Sequence, residues 1–189
     1  RWHEARAKSG SKEVMVIGVG SINGVKTCVC SMNWFFMGAS VGLSGAEGLI
    51  AAAEKSCEEN IPLVVICCSG GMRMQQGALS LSTLQKCTVA MSIVKESKLP
   101  TVCLLTDATT GGVSASFASL GDIILAEPGA TIGFSGARVA SMTINEIFPE
   151  DLQKSETLLK NGFIDMIVHR SDFKNKVSQI LKLLTKKIA

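Results

Sequence analysis

Tyrosine is absent from this 189-residue chain, and all aromatic residues together make up 5% of it. A site built on stacked rings, as in binding of single-stranded nucleic acid, has little material here. Charge of one sign is also scarce. The net charge is +3 and the Lys and Arg residues are scattered, without the basic stripe that marks a nucleic-acid surface. No apolar run approaches the ~20 residues of a membrane helix. The opening "RWHEARAKSGSKE" lacks the charged-then-apolar pattern of a secretory leader. With only four prolines and no Pro- or Ser-rich linker, residues 1–189 read as one domain, long enough to bury its own core. No nucleic acid and no membrane are expected as partners.

Histidine occurs twice, at 3 and 169, and neither lies near a cysteine cluster. The seven cysteines, at 28, 30, 57, 67, 68, 87 and 103, never take CxxC spacing. An odd count inside apolar runs reads as reduced core cysteine in a reducing compartment. No metal site is expected.

What is present is alternation of strand and helix. "EVMVIGVGSINGVKTCVCSM" reads as two strands around an Asn23-Gly24 turn, a strong hairpin signal. "LSGAEGLIAAAEKSCEEN" places Leu43, Ala46, Ile50, Ala53 and Cys57 at helical spacing. "LVVICC", "TVCLLT" and "DIILAE" are apolar strands, and a second helix fits from about Leu79 to Ser97. "FKNKVSQILKLLTKK" predicts a terminal amphipathic helix with Val177, Ile180, Leu181 and Leu184 on one face. This order implies an α/β fold with a mainly parallel sheet.

Two of those strands end alike. "LVVICCSGG" and "TVCLLTDATTGG" each run into a glycine pair, Gly70-Gly71 and Gly111-Gly112. If the strands are parallel neighbours, both pairs emerge at one sheet edge, where α/β proteins commonly place ligands. "VSASFASLGD" predicts a helix starting directly after Gly112, with its free N–H groups and dipole aimed into the same space. Converging backbone donors are the geometry of an oxyanion hole.

The strings "CSGGMRMQQGALSL", "LTDATTGGVSASFASLGDIILAEPGATIGFSGARV", "KSETLLKNGFIDMIVHR" and "FMGASVG" closely resemble the carboxyltransferase β subunits of bacterial and plastid-type acetyl-CoA carboxylase. The resemblance runs from about residue 13 to 185. It implies the crotonase (ClpP/crotonase-like) fold, with repeated ββα units in a spiral. It implies transfer of a carboxyl group from carboxybiotin, held on a biotin carboxyl carrier protein, to acetyl-CoA, giving malonyl-CoA. It also implies a carboxyltransferase α subunit as partner, in an α2β2 assembly, in a bacterial cytoplasm or plastid stroma. By resemblance Gly111 and Gly112 match the oxyanion-hole glycines, and Gly70 and Gly71 the other loop lining the site. The family commonly has Glu at Gln76, Pro at Ala108 and Pro at Ala137, and usually an N-terminal four-cysteine zinc ribbon. Nothing like that ribbon stands in this sequence, so no zinc is expected.

Arg73 is a candidate for a CoA phosphate, as the only cation near the first loop, and Arg138 is a second. Asp107 reads as a turn residue bonding the loop's own N–H groups. Other readings stay open. A malonyl-type decarboxylase subunit shares most of this logic, whereas a hydratase would need carboxylates that "GGVSASFAS" does not offer. A ClpP-like serine peptidase would use Ser114 with His169 as base. A non-catalytic scaffold that completes a partner's site is the remaining alternative.

Overall fold

The computed structural model describes residues 2–135, 149 and 151–185. Helix α1 (Trp2–Ser9) leads into strands β1 (Met15–Ile22) and β2 (Val25–Met32), which form the expected antiparallel hairpin. Asn23 and Gly24 both take positive φ, 47° and 91°, as a tight turn matched to the strand twist requires. The region of His3 is helical and buries Ala5. Helix α2 (Leu43–Glu59) buries Ala46, Leu49, Ala53 and Ser56 along one stripe. It ends at left-handed Asn60, where the Ile61 N–H bonds back to the Ser56 carbonyl at 3.0 Å, satisfying a carbonyl the helix itself leaves open.

Strand β3 (Leu63–Ser69), helix α3 (Ala78–Glu96) and strand β4 (Thr101–Thr110) follow. After them come β5 (Ile123–Ala126), β6 (Ile132–Gly133), α4 (Ser155–Lys160), β7 (Met166–Ile167) and α5 (Phe173–Leu184). The main sheet runs β1-β2-β3-β4-β5-β7 and is parallel throughout after the hairpin. Helices α2 and α3 cover one face, where Leu49, Cys87 and Met91 pack with Cys30, Val65 and Cys103. Helix α5 covers the other, with Val177 and Leu181 against Val64, Val102, Leu104 and Leu125. A strand covered on both faces must be apolar at every position. That is why "LVVICC" shows no alternation.

Past the carboxyl ends of the long strands lies a second row of short pairings. Val41 bridges Met72, and Thr109–Thr110 pair with Ile132–Gly133. Long strand, short outer strand and helix thus repeat as β2, Val41, α2 and then β3, Met72, α3. This is the spiral of ββα units.

The repeat breaks after Gly112. The helix expected there is absent: residues 111–116 form turns, followed by a single 3₁₀ turn over Phe117–Ser119. Serine hydroxyls compete with the helical ladder. Ser116 Oγ donates to the Gly112 carbonyl at 2.6 Å, and Ser114 Oγ lies 2.8 Å from both the Gly111 and Gly133 carbonyls. By residue 122 the backbone is already tied to Thr101. Val113, Phe117 and Ala118 anchor the segment by burial instead. No helix dipole is available at this loop.

Candidate active site

The parallel β3–β4 pairing shifts register between Cys67 and Ser69, where β4 takes up two extra residues, and resumes with Ser69 opposite Thr109. It carries the two glycine pairs to the same edge and into contact. A Cβ on Gly111 would sit 2.9 Å from the Gly71 Cα, and one on Gly71 would sit 3.4 Å from the Gly111 Cα. Both residues also have positive φ, 110° at Gly71 and 67° at Gly111. Two backbones meet here with no room for a side chain between them.

The four glycine amides are not equivalent. The Gly70 N–H donates to the Gly38 carbonyl at 3.0 Å, the Gly71 N–H to Ser69 Oγ at 2.9 Å, and the Gly111 N–H to the Gly133 carbonyl at 3.0 Å. Only the Gly112 N–H of the four finds no acceptor among the described residues, although Gly112 is buried. On the facing loop the Met72 N–H is likewise without an acceptor among them. Buried amides are nearly always paired, so an open one on a buried glycine marks a place for an acceptor from outside the described chain. Sequence reasoning named the glycines and missed Met72. Its signal was positional: Met72 is the first residue after the first pair.

Arg73 departs from its expected role. It is 2% exposed, and its guanidinium grips the Glu13 carboxylate at 2.6 and 3.3 Å and the Ser40 carbonyl at 2.8 Å. Burial pulls the Glu13 carboxyl upward, but the bonds from Arg73 and from the Val14 N–H leave it below its ordinary value. A cation so enclosed is not presented to a substrate phosphate. Arg138 lies outside the described residues. Asp107 accepts from the Thr131 N–H at 2.8 Å, in the next turn of the spiral, rather than from its own loop.

Gln76, whose role the sequence left without an account, caps a helix. Its side-chain oxygen accepts the Leu43 N–H at 2.8 Å, one of the amides that α2 leaves open at its start. Gly42 has no side chain to do this, and any Cβ there would collide with the Gln76 amide. Gln76→Ala is expected to lower stability by about 1 kcal/mol, the usual worth of a cap. Gln76→Glu is expected to raise it by about 0.5 kcal/mol, because a carboxylate also meets the positive helix end. Denaturant unfolding of the two variants measures both signs.

An apolar cleft of about 230 Å³ adjoins the second loop, lined by Ser114, Ala115, Gly133, Phe134, Leu158 and Phe163 among others. None of its lining residues is an acid or a base. The Ser114 hydroxyl is spent on carbonyls, while His169 Nδ1 is 2.8 Å from Ser171 Oγ. The peptidase pairing is therefore not assembled. Burial pushes the thiols of Cys30 and Cys103 up to about 12, which keeps them protonated and inert as nucleophiles. Among the described residues no cluster of three His, Cys, Asp or Glu could hold a metal, and no helix is long and apolar enough to cross a membrane.

Residues 2–188 match the family described as carboxyl transferase domain. The chain is 45% identical to the acetyl-coenzyme A carboxylase carboxyl transferase subunit beta of Maricaulis maris, over 97% of this chain and 59% of that one. Identity to the subunit of the same name from Sinorhizobium fredii is 46%, over 99% and 62%. The chain thus spans about three-fifths of the length of these curated relatives. Among solved structures, a chain of the Pseudomonas malonate decarboxylase MdcD-MdcE hetero-dimer superposes with a TM-score of 0.80 at 20% identity, over 96% of this chain and 85% of that one. Transcarboxylase 12S, with methylmalonyl-coenzyme A and methylmalonic acid bound, superposes with a TM-score of 0.79 at 26% identity, over 90% and 32%. The shared fold is the crotonase type.

Proposed function

Because the chain belongs to the carboxyl transferase domain family, we propose that it forms the catalytic part of the β subunit of acetyl-CoA carboxylase carboxyltransferase. The reaction is transfer of a carboxyl group from carboxybiotin to acetyl-CoA, giving malonyl-CoA. The observation that carries this reading is the buried Gly112 amide without an acceptor, beside the equally open Met72 amide. A thioester oxygen that gains negative charge as the methyl proton leaves is an acceptor of that kind. Such donors cost no reorganisation at the moment of reaction, and each is worth about 3 kcal/mol of transition-state stabilisation.

Biotin on its carrier protein would supply the carboxyl group and, once that group has left, the base for the methyl proton. The residues fit this division of labour. The glycine pairs, with Met72, offer open backbone donors and no titrating side chain, and the adjoining cleft brings apolar walls that exclude water from a labile carboxyl donor. The carbon of the thioester enolate, its oxygen held by the Gly112 and Met72 amides, would take the carboxyl carbon, and bound biotin would supply the acceptor for the methyl proton. The expected partners are an α subunit, in an α2β2 assembly, and the biotin carboxyl carrier protein. The expected compartment is a bacterial cytoplasm or plastid stroma. Gly70, Gly71 and Gly111 shape the site by backbone approach, and Gly112 supplies a donor.

The test is carboxyl transfer in reverse, from malonyl-CoA to a soluble biotin derivative, by the chain alone and with a matching α subunit. Transfer only with both present supports the proposal. Carbon dioxide release from malonyl-CoA that is indifferent to biotin would favour the decarboxylase reading instead. That reading has support only at the level of fold, at 20% identity.

A further inference from the structure

We infer that the ion pair between buried Arg73 and largely buried Glu13 is a positioning device for the Met72 amide, setting its direction and so the geometry of the site; this rests on the proposed role of Met72 and Gly112 as donors. The argument begins with the bridge between Val41 and Met72. The Val41 N–H donates to the Gly71 carbonyl at 3.0 Å, and the Arg73 N–H donates to the Val41 carbonyl at 2.7 Å. In a parallel pairing of this kind the flanking residues make both bonds, so the Met72 N–H faces away from Val41. Its direction therefore follows the register of that bridge, which the Gly70 N–H to Gly38 carbonyl bond at 3.0 Å and the Ser69 Oγ to Ala39 carbonyl bond at 2.7 Å hold from the N-terminal side.

Those bonds all precede Met72, and Arg73 holds the bridge from the residue that follows it. Its guanidinium holds the carbonyl of Ser40, directly before Val41, and lies 5.4 Å from the centre of the Phe36 ring. Its remaining bonds go to Glu13, sixty residues earlier. Glu13 is itself fixed, because its carboxylate accepts the Val14 N–H at 2.9 Å and Val14 is fully buried against Gly45. A two-pronged Arg–carboxylate pair sets orientation as well as distance. Stability alone does not account for it, since well-packed apolar residues commonly replace a buried ion pair without loss. What an apolar pair lacks is a directional hold on Ser40 and, through the Val41 bridge, on Met72.

The experiment uses the full-length protein assembled with its α subunit. The variants are Glu13→Leu/Arg73→Met together, which removes both charges and leaves none stranded, and the conservative singles Arg73→Lys and Glu13→Gln. Reverse transfer gives kcat and KM, thermal unfolding gives stability, and amide exchange and chemical shift report Met72 and Gly112. The double variant is expected to stay folded, with kcat down about 10- to 100-fold and KM for malonyl-CoA nearly unchanged, as a misplaced transition-state donor predicts. The Met72 amide signal moves, and Arg73→Lys, which keeps a point charge but loses the fork, falls between.

A folded double variant with wild-type kcat overturns the inference, and so does a lowered kcat with an unmoved Met72 amide. If the double variant does not fold, the singles decide by the same two readouts. If the wild-type protein transfers nothing, the functional proposal fails separately. The amide signals then decide whether the pair holds Met72.

Discussion

Replacing Gly111 with alanine is expected to lower turnover by about 100-fold or more, the scale of losing or misplacing one oxyanion donor. The cause is geometric. The new methyl carbon would stand 2.9 Å from the Gly71 Cα, and a backbone atom cannot rotate aside as a side-chain end can. The two loops must separate, which shifts Met72 and Gly112 relative to each other. The same substitution also forces an L residue to φ 67°, at a cost of about 1–2 kcal/mol. Gly129→Ala separates the two effects. Gly129 has the same φ of 67° but nothing within 4 Å of where its Cβ would stand. It should lose only the strain part of the stability, about 1–2 kcal/mol, and keep wild-type kcat. Equal losses of kcat in both variants would mean that backbone strain, not loop separation, governs the site. Steady-state kinetics of the assembled enzyme, corrected for folded fraction, makes the comparison.

Phe117→Ala is expected to cost about 3–5 kcal/mol of stability, the usual range for an emptied aromatic site in a core. The ring is fully buried, and it lies in the segment where the expected helix did not form. Without a helical ladder, the chain after Gly112 depends on Val113, Phe117 and Ala118 for its position. The loss should therefore appear first as faster amide exchange from 112 to 119, and then as a lowered unfolding midpoint. Leu120→Ala, at a half-exposed neighbour, should cost less than about 1 kcal/mol. A Phe117→Ala loss as small as that would show that the loop is held by its serine bonds to Gly111, Gly112 and Gly133 instead.

Much of the frame was legible in the residues. Apolar strands each preceded by a proline, Pro62 and Pro100, an Asn-Gly turn and two periodic helices define the layers from the residues alone. The glycine pairs, too, are legible as like endings of neighbouring strands, but their meeting also needs the register shift by which β4 takes up two extra residues opposite Cys67–Ser69, and no pattern in the residues announces that. What could not be read is whatever depends on distant partners. Nothing near Arg73 foretells Glu13, so a lone arginine beside a loop looks like a ligand for phosphate. Gln76 is equally mute until α2 is seen to begin at Gly42 without a cap. The segment after Gly112 has helical composition and still forms turns, since three carbonyls within reach take the serine hydroxyls. Two-residue strands such as Ile132–Gly133 and Met166–Ile167 are too short to leave a period. In the site, sequence identifies the glycines by type, but the ledger of amides, three bonded and one open, exists only in three dimensions.

The two open amides at Met72 and Gly112 belong to the main chain, and this changes how the site responds to variation. Every amino acid except proline carries the same N–H, so a scan that trims side chains one by one passes over the donors unseen. Position 72 should tolerate other unbranched residues that can lie along Gly112, whereas proline there deletes the donor itself. Replacing that single amide by an ester, which keeps the side chain and removes the hydrogen, addresses the group directly. The heritable part of such a site is the shape that holds its backbone, more than the identity of the residue that supplies the atom.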